Sequence, residues 1–405
     1  MADNQIAGKL LQSKQLQIDS LLALTRAINN NTKEHELYEL YELFLRNQMH
    51  VGEVILYYHR DLWECVFHFG IEKVYPTYLV EHQFIYNKEL RNLEEKPIEQ
   101  IENFNYLIPV FHKEQPLAFA LISKVNADEY GTKEEKLKFI QTITNIIISA
   151  IENKRLFKKQ LVQQAYKKEM DLARQMQKLL IPAKLPQTEN VKMSAVYLPH
   201  TEVGGDYYDF VELNEGKITF CIADVSGKGV PAALLMSNFQ ATLRTLAQQN
   251  YTTEKLIKAL NARMCEVTQN ESFITLFYAK YNAVSKKLLY VNAGHVPPFL
   301  CNSKGIQPLT DGTTLLGMFN DLPHIKVGEI YLEEESTLVL FTDGLTDLLN
   351  EQDEFFDVEG VELFCKNFYT LNPEDFNNKI LERLNSFKGT RQNTDDVTIL
   401  TCKLK

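Results

Sequence analysis

Four short acidic motifs in the second half of the sequence hold the residues best suited to chemistry. They are Val203-Gly204-Gly205-Asp206-Tyr207-Tyr208-Asp209-Phe210, Ala223-Asp224-Val225-Ser226-Gly227-Lys228-Gly229-Val230-Pro231, Phe341-Thr342-Asp343-Gly344-Leu345-Thr346 and Asn393-Thr394-Asp395-Asp396-Val397-Thr398. In each, an Asp stands at the edge of an apolar, strand-like run and beside Gly or another Asp. A strand end holds a carboxylate rigidly, and glycine lets backbone and solvent approach closely. Carboxylates gathered in one cleft repel one another, and hard divalent cations relieve that repulsion. Carboxylate, carbonyl and water ligands suit Mg²⁺ or Mn²⁺. Taken singly, Gly-Gly-Asp and Thr-Asp-Gly are ordinary turns with Asp as turn former; metal chemistry requires the whole set.

Other polar residues near these motifs are weaker candidates. Ser226 adjoins Asp224 but shows no His–Asp partnership that would make it a nucleophile. Lys228 could assist substrate binding or be a solvated loop residue. His295, in Asn292-Ala293-Gly294-His295, invites a general-acid role, yet it follows a strand-like run and reads better as a turn former. Pro231 fits the first turn of a helix that ends near Ala247.

The order and spacing of the four motifs resemble the PPM metal-dependent protein phosphatases, in the SpoIIE/RsbU-like branch of bacterial regulators. The resemblance runs from about Leu172 to Lys405 and includes Ala173-Arg174-Gln175-Met176-Gln177, Leu180-Ile181-Pro182, Phe273-Ile274-Thr275-Leu276-Phe277-Tyr278 and Tyr290-Val291-Asn292-Ala293-Gly294-His295-Val296-Pro297-Pro298. It implies an αββα β-sandwich with flanking helices and a centre of two Mn²⁺ or Mg²⁺ ions. Asp206 and Asp224 would hold the ions, with Asp224 bridging both and the carbonyl of Val225 adding an oxygen. Asp343 and Asp395 would complete the shell of the first ion. Asp396 would stand behind these ligands or act as a weak one. A water between the ions would then attack phosphorus in line, with no phosphoenzyme. Eukaryotic members carry an Arg near the start of the domain to grip phosphate, and no equivalent is visible here.

Elements of two textures must position these residues. Beyond about residue 190, short strand-like runs dominate: Ser194 to Leu198, Ile218 to Ala223, Phe273 to Tyr281, Leu288 to Val291, Thr337 to Phe341 and Val397 to Cys402. Helical stretches are expected at about 231–249, 253–269 and 373–387. Before them, one helical pattern spans about Lys133 to Leu180, and Pro182 and Pro186 end it. Its first half has an apolar stripe of Leu137, Ile140, Ile143, Ile147 and Ile151. Its second half is polar, with Leu156, Leu161, Ala165, Leu172, Met176 and Leu179 remaining, and reads as a signalling helix that pairs with its own copy or as a single solvated helix.

The first 150 residues run helix (6–28, with Ile6, Leu10, Gln17, Leu21, Leu24 and Ile28 on one stripe), helix (34–49) and then strands at Glu53 to Tyr58, Trp63 to Phe69, Asn105 to Phe111 and Leu117 to Lys124. That order resembles a GAF domain, an α+β sensor, with a PAS-like module as the alternative. Asn87-Lys88 lacks the continuation of a cyclic-nucleotide site. Trp63, Tyr57, Tyr58, Phe67 and Phe69 alternate as core aromatics do.

The fold class expected is α+β throughout: a GAF-like sensor over 1–152, a helical or coiled-coil linker over 153–185, and a PPM phosphatase domain over 186–405. The chain has 405 residues, net charge −10, 45% hydrophobic and 24% charged residues. That composition is expected of a soluble globular protein and is poor for nucleic-acid or anionic-membrane binding. No signal peptide and no apolar run of membrane-spanning length is visible. Cys65, Cys221, Cys265, Cys301, Cys365 and Cys402 are scattered without a CxxC pair, which fits a reducing cytoplasm. The expected partner is a Ser/Thr-phosphorylated protein, of the STAS-type anti-sigma antagonist class that the resemblance implies, and a homodimer through the linker helix is expected. The rival readings are a partner-switching scaffold without activity and a hydrolase of small phosphorylated molecules.

Overall fold

The computed structural model describes residues 2–127, 132–213, 216–249 and 251–405, with backbone alone for 2–10 and 13. The side chains of Ile6 and Leu10 therefore lie outside the described residues. The chain divides into two compact units, Met1–Gln164 and Ala165–Lys405.

The N-terminal unit comprises α1 (Ala2–Asn29), α2 (Glu34–Asn47), β1 (Val54–His59), β2 (Trp63–Phe69), β3 (Arg91–Asn92), β4 (Tyr106–His112), β5 (Gln115–Ile122) and the first part of α3 (Lys133–Lys178), with a single π-helical turn at Val80–Phe84. The strands form an antiparallel sheet in the order β2-β1-β5-β4-β3. β1 reads Val-Ile-Leu-Tyr-Tyr-His because both of its faces are covered, so alternation with polar residues is not required. Val54, Leu56 and Tyr58 pack with Leu37, Tyr41 and the α3 stripe Ile140, Ile143, Ile147 and Ile151. Ile55 and Tyr57 pack on the opposite side with Phe84, Leu93, Phe104 and Phe119. The aromatic set is accordingly core: Tyr57, Tyr58 and Phe69 are buried, and Trp63 and Phe67 lie partly buried against the same clusters.

The C-terminal unit begins in α3 and continues with β6 (Val191–Leu198), β7 (Tyr207–Glu212), β8 (Lys217–Val225), α4 (Val230–Ala247), α5 (Thr253–Thr268), β9 (Ile274–Asn282) and β10 (Lys287–Ala293). The short strands β11 (Phe299–Asn302), β12 (Gly305–Pro308), β13 (Gly312–Thr313) and β14 (Gly328–Tyr331) follow. The chain ends with β15 (Ser336–Phe341), α6 (Asp343–Thr346), α7 (Asp357–Phe368), α8 (Pro373–Lys388) and β16 (Val397–Leu404). One sheet has the order β13-β10-β9-β8-β7, with β14 also on β10; the other has the order β12-β11-β15-β16-β6.

The two sheets bury their inner faces against each other through Phe220, Ile222, Phe277 and Tyr290 from one side and Leu338, Leu340, Leu400 and Cys402 from the other. Met236, Phe239 and Leu243 of α4 and Leu256 and Leu260 of α5 cover the outer face of the first sheet. Val361 and Phe364 of α7 and Phe376 and Ile380 of α8 cover that of the second. The result is a four-layer helix–sheet–sheet–helix stack.

Three features depart from the sequence-based expectation. The first acidic motif is itself a strand, β7, from Tyr207 onward. Helix α7 was not foreseen because Gly, Val, Phe and Cys in its sequence favour helix weakly; burial of Val361, Phe364 and Cys365 at helical spacing overrides that preference. The long helix ends at Lys178, two residues before Leu180. Among the described residues no helix is long and apolar enough to cross a membrane, and the six cysteines are free thiols.

Candidate functional site

All four acidic motifs lie at one end of the sandwich, because antiparallel register carries them there. Tyr207 pairs with Ala223, so the next position outward faces Asp206 toward Asp224. Phe341 pairs with Ile399, which puts Asp343 just past the end of β15 and Asp395 and Asp396 just before the start of β16. Each sheet thus supplies two of the motifs.

Asp206 is 1% exposed. Its Oδ2 accepts a hydrogen bond from Thr342 Oγ1 at 2.8 Å and another from Thr398 Oγ1, so the second sheet grips the aspartate of the first. Thr342 Oγ1 in turn accepts from Thr398 N at 3.0 Å. Burial, and next the charge of Asp224, push the Asp206 carboxyl well above the usual carboxylate range. Asp224 is pushed up to about 7, first by burial and then by Asp343, Asp395 and Asp396. Asp343 is also raised, by burial and then by Asp347 and Asp395.

Two glycines make the close approach possible. A Cβ on Gly205 would lie 2.7 Å from the Val225 carbonyl oxygen, and one on Gly344 would lie 2.0 Å from the Asp396 carbonyl oxygen. Any side chain there would prise the loops apart.

The remaining motif residues have distinct roles. Asp396 accepts from His200 N at 2.7 Å through Oδ1 and from Gly205 N at 2.8 Å through Oδ2, so it staples the 200–205 loop to the start of β16. Lys228 Nζ stands 2.7 Å from Asp395 Oδ2 and donates to the Thr394 carbonyl at 2.8 Å. It is a cation standing against the carboxylate cluster. Ser226 Oγ accepts from Phe273 N at 2.9 Å and ties β8 to the start of β9. Asp209 points away, into a bidentate pair with Arg244 of α4 at 2.6 and 2.8 Å, with Tyr207 also donating to it. His295 is buried behind the site.

Divalent cations fit this donor set. Asp206, Asp224, Asp343 and Asp395 are hard oxygen donors, the Val225 carbonyl lies against Gly205, and one ammonium leaves the cluster with excess negative charge. Among the described residues no group of three or more His, Cys, Asp or Glu donors is already drawn to metal-holding distance.

Sequence reasoning missed four contributors. Thr342 and Thr398 sit inside two of the quoted motifs, and their pairing with Asp206 could have been suspected from the Thr common to both. Asp347, one helical turn after Asp343, left no signal beyond its spacing. Gln177, near the end of α3, forms a reciprocal amide pair with Gly204: Nε2 donates to the Gly204 carbonyl at 2.7 Å, and Gly204 N donates to Oε1 at 3.2 Å.

Comparison with known proteins agrees with this architecture. Residues 214–405 match the family model of Stage II sporulation protein E (SpoIIE), a stretch holding Asp224, Asp343, Asp395 and Asp396 but starting after Asp206. The phosphoserine phosphatase RsbU of Bacillus subtilis is 35% identical over 192 residues, 47% of this chain and 57% of that protein. The phosphoserine phosphatase RsbP of the same organism is 28% identical over 186 residues, 45% of this chain and 46% of that protein. The chain thus spans about half the length of these curated relatives. The SiaA-PP2C domain of Pseudomonas aeruginosa superposes with a TM-score of 0.54 at 19% identity, over 60% of this chain and 99% of that one, which establishes likeness of fold. Residues 214–405 are thus similar to SpoIIE-type phosphatase domains, and the C-terminal unit shares the fold of a PP2C domain.

Proposed function

We propose that the chain is a metal-dependent serine/threonine phosphoprotein phosphatase whose activity is set by its N-terminal unit. The observation that carries the reading is the convergence of Asp206, Asp224, Asp343 and Asp395 from two sheets on one end of the sandwich, with Asp224 held at about 7 by burial and its acidic neighbours. Two Mn²⁺ or Mg²⁺ ions bound there would supply a water of lowered pKa and would neutralise phosphoryl oxygens. Asp206, Asp224, Asp343, Asp395 and the Val225 carbonyl would hold them. Asp396 fixes the Gly204-Gly205-Asp206 loop through its two backbone hydrogen bonds. Thr342 and Thr398 orient the Asp206 carboxylate. Lys228 offers a cation at the rim, where an incoming phosphoryl group would meet it.

The substrate proposed is a phosphorylated STAS-type antagonist in a cytoplasmic partner-switching pathway; relatives named as phosphoserine phosphatases support the phosphoserine part of this. Residues 1–152, within the N-terminal unit, are proposed as a GAF-like sensor, supported by their antiparallel sheet packed on helices. Residues 153–185 are proposed as the linker, and 186–405 as the catalytic domain. Leu156, Leu161, Leu172, Met176 and Leu179 are exposed along or just after the second half of α3, which supports pairing with a second copy of the chain.

The deciding assay is release of phosphate from a phosphoserine peptide and from p-nitrophenyl phosphate, with Mn²⁺ and with EDTA, for the wild type and for Asp224→Asn and Asp343→Asn. Metal-dependent release from the peptide, lost in both variants, is expected. Release that survives EDTA would refute the metal mechanism. Preference for the small ester would favour a small-molecule hydrolase, and inactivity toward both would favour a scaffold.

A further inference from the structure

The loop between β8 and α4 carries Lys228 between Gly227 and Gly229, whose φ values are 95° and 70°. Both lie in the left-handed region that favours glycine. A Cβ on either would meet nothing within 4 Å beyond its chain neighbours, so open space and not packing surrounds this loop. The ammonium at the end of the side chain is held all the same. Lys228 Nζ stands 2.7 Å from Asp395 Oδ2 and donates to the Thr394 carbonyl at 2.8 Å. These contacts tie the loop after β8, in the first sheet, to the segment that leads into β16, in the second. The pair is reachable from solvent, with 52% of the Lys228 side chain and 40% of that of Asp395 exposed.

Both oxygens of Asp395 are engaged. Oδ1 accepts from Asp396 N at 2.8 Å, and Oδ2 faces the ammonium. The backbone bond fixes the carboxylate, and the ammonium occupies its outward oxygen. A divalent cation arriving at Oδ2 would place a second positive charge beside the first, and like charges that close repel strongly. The ammonium can leave at small cost, because an exposed ion pair is weak, the lysine stem is flexible and nothing packs against the loop. Once released it needs another anion. The phosphoryl group of the substrate, drawn to the same ions, is the one the reaction supplies, and a lysine ammonium is a compact charge suited to it.

We infer that Lys228 and a divalent cation exchange at Asp395: the ammonium holds the carboxylate until the ion arrives, and is then released to bind an oxygen of the substrate's phosphoryl group. The inference rests on the metal reading above and adds an order of events to it, ion first and phosphoprotein second. Lys228 is thereby a substrate-binding residue that becomes free only when the centre is loaded.

The test uses the full chain and Mn²⁺ alone, with unbound Mn²⁺ counted by its paramagnetic resonance signal, for the wild type, Lys228→Met and Lys228→Arg. Lys228→Met is expected to bind Mn²⁺ about 3-fold or more tightly than the wild type, because the competitor for Asp395 is gone. Lys228→Arg is expected to bind it about 2-fold or more weakly, because a guanidinium grips a carboxylate harder than an ammonium does. Simple repulsion at a distance would give a tighter Met variant and an Arg variant equal to the wild type, and that pattern would overturn the exchange. So would equal affinity in all three proteins, or a Met variant that binds more weakly. At saturating Mn²⁺, the KM for a phosphoserine peptide is expected to rise about 5-fold or more in Lys228→Met and to stay within about 2-fold of the wild type in Lys228→Arg. An unchanged KM in Lys228→Met would overturn the release to phosphate. The two readings fail differently: a wild type that binds no Mn²⁺ removes the metal reading and the exchange together, whereas Mn²⁺ binding that ignores residue 228 removes the exchange alone.

Discussion

The imidazole of His295 lies 3.0 Å through Nε2 from the carbonyl oxygen of Phe341, two residues before Asp343. A carbonyl only accepts, so Nε2 carries the proton. Nδ1 then accepts from Thr275 Oγ1 at 2.9 Å, and Thr275 pairs in register with Asp224. His295 thus pins the strand end that carries Asp343 to the sheet that carries Asp224. It does so as a neutral ring, with burial pushing its pKa down to about 4.

That arrangement makes stability depend on pH in a defined direction. The ring's pKa is lower folded than unfolded, where it is near 6.5. The unfolded chain therefore binds the proton more readily across the interval between these values. The stability contribution is intact above about pH 6.5 and is lost as pH falls toward 4, at up to about 1.4 kcal/mol per pH unit. Denaturant unfolding of wild type and His295→Gln over pH 4–7.5 checks this. The difference between the two curves should narrow as pH falls, because the raised carboxylates act in both proteins and cancel. Parallel curves would mean that folding leaves the pKa of His295 unchanged.

Asp224→Asn should separate charge relief from metal binding. Without metal, the variant is expected to melt at or above the wild type, by roughly 2–4 °C for about 1 kcal/mol of relieved repulsion. Asp224 has a raised folded pKa of about 7, so its repulsion is present above that pH and disappears as the group takes up a proton on acidification. The metal-free gap should therefore be widest above about pH 7 and shrink steadily as pH falls toward the ordinary carboxylate value of 3.8. Added Mn²⁺ should raise the melting temperature of the wild type and leave the variant nearly unchanged. A metal-free variant that melts well below the wild type would show that Asp224 is structural.

Much of this site was legible in the sequence for a physical reason. Each Asp lies beside an apolar run buried in the sandwich, so the run reads as a strand and the Asp as its end. The grip on Asp206 was less legible, because Thr342 and Thr398 act across sheets and no spacing along the chain brings them together. Asp209 illustrates the opposite problem. It lies in the same motif as Asp206, yet strand alternation turns it to the α4 face, where Arg244 neutralises it. Helix α7 was missed because its stability comes from the sheet it covers.

The Asp209–Arg244 pair is expected to matter for folding alone. Asp209 is 2% exposed, so Arg244→Met would leave a buried carboxylate without its counter-charge, held by Tyr207 and Phe210 N alone. The expected loss is about 3–5 kcal/mol by denaturant unfolding. Adding Asp209→Asn should restore a large part of it. Turnover per folded molecule should change little in either variant. A large fall in turnover without loss of stability would place Asp209 in the chemistry after all.

Ser226→Ala removes the hydroxyl that accepts from Phe273 N. The backbone bond from Ser226 N to the Phe273 carbonyl remains at 2.9 Å, so the loss should be about 1 kcal/mol. Substantial phosphatase activity should remain, since nothing in the pairing of Ser226 makes it a nucleophile. Rapid-quench analysis of the wild type should find no phosphate on Ser226, and finding it there would replace the proposed mechanism.

The last prediction concerns how α3 reaches the site. Gln177 holds both backbone groups of Gly204, and Arg174 Nε holds the Glu202 carbonyl at 2.8 Å. One helical turn therefore grips the loop that leads into Asp206. Leu172 and Met176, on the same stretch, are exposed. An apolar side without cover allows a second packing of the helix, and movement between two packings would carry the Gly204 loop with it. Gln177→Leu keeps the bulk of the side chain and removes both hydrogen bonds, leaving a buried N–H and C=O without partners. If the helix sets the position of Asp206, the variant should lose about 5–100-fold in apparent Mn²⁺ affinity, a coupling of roughly 1–3 kcal/mol. Activity at saturating Mn²⁺ should recover in part. Met176→Lys should shift Mn²⁺ affinity in the same assay without lowering the melting temperature, because its side chain is already exposed. A passive spacer makes a different prediction: Gln177→Leu would lower the melting temperature, while both variants kept wild-type Mn²⁺ titrations. Measuring the metal titration and the melting curve on the same samples distinguishes the two, and unchanged titrations in both variants would end the case for control through α3.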